Sequence, residues 1–136
     1  SVQPRLERWK IAGELISKSP LIGYGAGTEV AILGDRFFER RFYSSYLHHL
    51  NSHNQYLSFL LKSGIWGLAA YGATLAYGFK NAIRKKDMLF FSFMLMIAIV
   101  SLSENVLDMD KGVMFYSFFF SFFAFAAERK RMSISR

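Results

Sequence analysis

The second half of this sequence is built from long apolar blocks set apart by short charged stretches, and that pattern constrains the fold more than any motif does. From Tyr56 to Phe79 the only charged residue is Lys62. It stands near one end, where its aliphatic stem can carry the ammonium to an interface, and an apolar stretch of this length reaches across roughly 30 Å of hydrocarbon. Met88 to Val106 and Gly112 to Ala127 repeat the theme, the last as GVMFYSFFFSFFAFAA. With 15 Phe among 136 residues and 52% hydrophobic residues overall, the chain is too rich in bulky apolar groups for an ordinary soluble domain. The blocks predict three transmembrane helices, over about 56–79, 88–106 and 112–127. The expected fold is an all-α integral membrane protein. Residues 1–55 form an extracytoplasmic segment of helix and loop, residues 56–128 hold the three spans, and residues 129–136 form a basic cytoplasmic tail.

The net charge of +7 invites a nucleic-acid reading, so its placement matters. Lys80, Arg84, Lys85 and Lys86 crowd one connection, and Arg129, Lys130, Arg131 and Arg136 the tail. The other connection carries Glu104, Asp108 and Asp110 against Lys111 alone. Basic residues gather on the cytoplasmic side of membrane proteins, which puts residues 1–55 and the acidic connection outside. The basic clusters then read as topology signals with some affinity for anionic lipid, and no nucleic-acid partner is expected. No cysteine is present, which excludes disulfides and thiolate zinc sites.

An outward-facing polar segment needs something upstream to carry it across. The sequence opens on SVQPRLERW, with neither a methionine nor a signal-peptide pattern. We therefore expect it to be the C-terminal region of a larger polytopic protein.

In the outer segment, RLERWKIAGELISKS places Leu6, Trp9, Ile11, Ala12, Leu15 and Ile16 at helical spacing, an amphipathic helix suited to a membrane surface. PLIGYGAGTE then ends the helix at Pro20 and offers Gly23, Gly25 and Gly27 for a tight turn whose amides can meet an anion. No strand precedes these glycines, so a dinucleotide fingerprint is excluded. Arg36, Arg40 and Arg41 follow in an aromatic, basic stretch and either bind phosphate or are solvated. His49 and His53 would share a helix face, yet no HExxH pattern or obvious third ligand accompanies them, and no metal or other cofactor is expected.

His53, Asn54 and Gln55 stand directly ahead of the first apolar block, in HNQYLSFLLKSGIWG. Together with R-x-x-x-W at Arg5 to Trp9, PLIGYGAGT at Pro20 to Thr28, and Gly64 and Gly67, this run resembles the C-terminal region of the O-antigen ligase and polymerase superfamily of bacterial membrane glycosyltransferases. The likeness covers about residues 5–128, and SENVLD resembles that family's penultimate connection. It implies transfer of a glycan from undecaprenyl pyrophosphate to an acceptor hydroxyl, on lipid A-core, another lipid-linked glycan or a protein side chain. That transfer takes place at the outer face of the cytoplasmic membrane and requires no metal. The resemblance assigns Arg5 to the pyrophosphate and His53 to the acceptor hydroxyl; a further family arginine from an earlier loop has no counterpart here.

The residue types suit that chemistry. An arginine fork stays protonated at any working pH and satisfies a diphosphate bidentately, which Arg5 and its neighbour Arg8 can both do. A base that activates a hydroxyl must be neutral near pH 7, and an ordinary histidine titrates at about 6.5. Asn54 and Gln55 either orient the histidine and bind sugar hydroxyls or cap the helix that follows. Gly64 and Gly67 read as close helix packing, and the Phe-rich third block either as lipid- or helix-facing bulk or as a groove for the polyprenyl chain. Glu104 is either functional at membrane depth or solvated beside Asp108 and Asp110. Against the transferase stands a different class, a non-catalytic membrane scaffold or channel subunit, in which Arg5 and His53 are replaceable and the packing glycines are not.

Overall fold

The computed structural model describes the backbone of residues 2–134 and the side chains of residues 4–126. The side chains of the basic tail, residues 129–136, lie outside that range. Among the described residues six α-helices follow one another: α1 (Val2–Lys18), α2 (Glu29–Glu39), α3 (Tyr43–Leu47), α4 (Gln55–Lys85), α5 (Met88–Val100) and α6 (Asp110–Ile134), with a 3-10 turn at Val106–Asp108. The all-helical expectation holds, and the described residues contain no strand. Two compact units result, one from residues 1–71 with 101–105, the other from residues 72–100 with 106–136.

The first unit has its own core. Ile11, Ala12 and Leu15 of α1 meet Leu33 and Phe37 of α2 and Leu61 of α4, with Tyr24, Phe42 and Leu57 packed around them. Much of the apolar stripe of α1 is thus used on the protein itself, while Leu6 at its N-terminal end stays exposed. Arg40 reaches back to both carboxylate oxygens of Glu14 at 2.7 Å, and Arg36 pairs with Glu39 at 2.7 Å. Those two cations already have carboxylate partners.

α4 does not run unbroken. Gly64 sits at φ 61°, ψ −154°, a backbone region that is essentially reserved for glycine. The helical bonds missing at the break are replaced by the glycine turn after α1. Tyr24 N–H donates to Leu61 O at 2.7 Å, Gly25 N–H to Lys62 O at 2.9 Å, and Ile65 N–H to Pro20 O at 2.9 Å. Backbone meets backbone so closely that a Cβ on Gly64 would lie 2.3 Å from the Leu21 carbonyl. The amides of Tyr24 and Gly25, expected to be open to an anion, are therefore occupied. Gly64 serves a joint, where the sequence suggested a packing position in a continuous helix.

In the second unit, α4 ends with Lys86 in the left-handed region (φ 50°). Asp87 N–H closes on Ala82 O at 2.9 Å, and the Asp87 carboxylate caps α5 through Phe90 N–H at 3.0 Å. Phe90 and Phe93 of α5 are buried. Phe90 stacks on Phe123 with centroids 5.4 Å apart, and Phe93 lies within 5.6 Å of the same ring. One face of α6 is thus helix-packed, while Phe118, Phe122 and Phe125 remain exposed.

Among the described residues, no helix is long and apolar enough to cross a membrane. α5 stops at Val100, well short of the 88–106 expected, and its 13 residues extend about 20 Å against roughly 30 Å of hydrocarbon. The physical reason for the early stop lies in the next five residues, which leave the helix to bond with the start of α4.

Candidate functional site

Residues 101–105 lie against residues 52–55 within the first unit, and the contacts are specific. Gln55 N–H donates to Ser101 O at 2.8 Å, Asn54 Nδ2 to Leu102 O at 3.3 Å, and Asn54 N–H to the Asn105 side-chain oxygen at 2.7 Å. Asn54 Oδ1 accepts from Tyr56 N–H and Leu57 N–H at 3.0 and 3.2 Å, which is the N-cap of α4. Gln55 is fully buried. Asn54 thus takes the capping alternative of the sequence reading, and Gln55 is buried behind it. Replacing Asn54 by alanine should cost about 1 kcal/mol and lower the melting temperature by a few degrees, with Asn54→Asp preserving the cap. A thermal melt of the purified variants checks this.

His53 faces the other way. Its backbone takes a left-handed φ of 47°, so it neither continues a helix nor shares a helical face with His49, itself at φ 48°. Among the described residues no three His, Cys, Asp or Glu side chains gather as metal ligands. The His53 ring is 27% exposed, and its Nδ1 lies 3.1 Å from Glu104 Oε2. An ionised carboxylate only accepts, so in this pairing Nδ1 carries a proton, and in the neutral imidazole the lone pair then falls on Nε2. Glu104, which the sequence left open between two roles, is the partner of the His53 ring.

α1 brings the arginines. Trp9 Nε1–H donates to Ser52 O at 3.0 Å, tying the helix to the residue before His53. Arg8, the neighbour of Trp9 in sequence, is only 9% exposed, and the Arg8 Nε has no hydrogen-bond partner among the described residues. Burial, and then the positive charge of Arg5, push the Arg8 guanidinium below its usual range, while Glu104 acts in the opposite sense. A buried, under-compensated guanidinium next to a second arginine is suited to receive an anion. On the same helix, Leu6, Glu7, Trp9 and Lys10 line an open cleft of about 530 Å³.

The sequence reading missed Glu29. This carboxylate is 2% exposed and lies 3.3 Å from Lys62 Nζ. Lys62 was expected to snorkel to an interface; it turns to Glu29 instead. The signal was available, because a lone cation inside an apolar block needs a counter-charge.

Chemically, the arrangement can take a proton at His53 Nε2 and neutralise an anion at Arg5 and Arg8. It combines, in an all-helical chain, a histidine paired with a carboxylate and a buried arginine on which the same carboxylate acts. The chain belongs to the O-antigen ligase family, whose model matches residues 1–72, just over half of its length. The matched stretch contains Arg5, Arg8 and His53 and stops short of Glu104. No curated protein and no solved structure matches the chain.

Proposed function

We propose that this chain carries the transfer centre of a membrane glycosyltransferase of the O-antigen ligase and polymerase type. The observation that supports it is the meeting of three stretches distant in sequence: Trp9 of α1 bonds to Ser52 beside His53, and His53 pairs with Glu104, whose charge also acts on Arg8. His53 Nε2 takes the proton of an acceptor hydroxyl. The freed oxygen attacks the anomeric carbon of a glycan carried on undecaprenyl pyrophosphate, the bond from that carbon to the phosphate oxygen breaks, and the diphosphate leaves with its electron pair. Arg5 and Arg8 hold the leaving group as its charge grows. The acceptor is a sugar hydroxyl of lipid A-core or of a growing polysaccharide. The family and the one-sided distribution of basic residues support a bacterial inner-membrane setting with residues 1–55 outside and the C-terminus in the cytoplasm.

The test uses Arg5→Ala and Arg8→Ala in the full-length protein. A hydrogen bond to a charged group contributes about 1.5–3 kcal/mol, so each variant should lower kcat/KM for the lipid-linked donor by roughly 10- to 100-fold. Lipid-linked glycan should accumulate in cells. Normal donor kinetics in both variants would remove the arginines from the mechanism.

A further inference from the structure

Glu29 is the first residue of α2, and every group that approaches its carboxylate is a donor. Ser52 gives its N–H at 3.0 Å and its hydroxyl at 2.7 Å to Oε1. The Ser58 hydroxyl donates to Oε2 at 2.5 Å, and Lys62 Nζ stands 3.3 Å from the same oxygen. Asn105 Nδ2 lies 3.3 and 3.4 Å from the two oxygens. A buried carboxylate is costly unless such donors compensate it, and an apolar filler would serve stability as well or better.

The position of the donors in the chain is informative. Ser52 immediately precedes His53, and Asn105 immediately follows Glu104. Asn105 also accepts Asn54 N–H at 2.7 Å through Oδ1, so the residues on both sides of His53 are held by one network. His53 needs that restraint, since a non-glycine residue at positive φ persists only where its surroundings over-determine it. We propose that Glu29 is a positioning residue for the transfer reaction. It sets His53 and Glu104 in register by gripping the neighbour of each, and it does not touch substrate. This rests on the role given to His53 above.

Glutamine at position 29 keeps the shape but offers one acceptor and one donor group. Its NH2 must face either Ser52 or the Ser58 and Lys62 side, so one grip is lost. In the full-length protein, Glu29→Gln should lower kcat per folded molecule by about 10- to 100-fold, the range seen when the outer partners of a site are removed. The KM for the lipid-linked donor should stay within about twofold, a split that a general loss of folded protein does not produce. If Glu29→Gln fails to accumulate, Ser52→Ala decides: a several-fold lower kcat at unchanged KM supports the proposal, and a wild-type kcat overturns it. A wild-type kcat in Glu29→Gln overturns it as well. His53→Ala is run beside them. If that variant transfers glycan normally, the function reading has failed; if it is inactive while the Glu29 and Ser52 variants are normal, only the positioning role has.

Discussion

Replacing His53 by alanine should lower glycan transfer by about 100- to 10,000-fold, the usual contribution of a positioned general base. The protein should still be present in the membrane. Alanine tolerates the left-handed backbone at position 53 poorly, so His53→Asn is the companion variant, because asparagine enters that region with little penalty. It keeps the backbone and removes the base. Both are made in the full-length protein in cells lacking the native copy, with the glycan separated by size. Accumulated lipid-linked polymer would identify a ligase, and single repeats on the acceptor a polymerase. A normal glycan profile from either variant would leave His53 a structural residue and favour the scaffold or channel reading.

The second large effect is expected at Gly64. In an unbroken helix, glycine to alanine stabilises by about 0.5–1 kcal/mol. At Gly64 the sign should reverse. Its backbone angles are strained for any side chain, and a Cβ would run into the Leu21 carbonyl. Strain and overpacking together suggest a loss of about 3–5 kcal/mol. Membrane abundance and thermal melting of Gly64→Ala measure it. Gly72→Ala is the control, since nothing lies within 4 Å of a Cβ there. If Gly64→Ala is as stable as that control, α4 is continuous and the joint does not exist.

Helical class, the position of α1 and the choice of Arg5, Arg8 and His53 as candidates came from the sequence, because periodicity and residue type carry that information locally. The partners of those residues were not. Glu104 is 51 positions from His53, and nothing in SENVLD shows whether its carboxylate faces water or an imidazole. Glu29 reads as an ordinary acidic residue in the first turn of a helix, a place where such residues are usually solvated. Its burial follows only once residues 52–58 and 105 have been brought around it. Gly64 looked like a packing glycine because a backbone break leaves no side-chain signature, and Ser101 to Asn105 looked like the tail of an apolar block because their bonds to α4 run through carbonyls and amides.

The joint between the glycine turn and α4 also bears on how chains of this design can vary in length. Tyr24, Gly25 and Ile65 meet Leu61, Lys62 and Pro20 in a fixed order, so one added or deleted residue within 20–25 or 61–65 would put at least one of these pairings out of register with the others. The turn that looks, by composition, like the most permissive loop in the chain is therefore among those least able to change length.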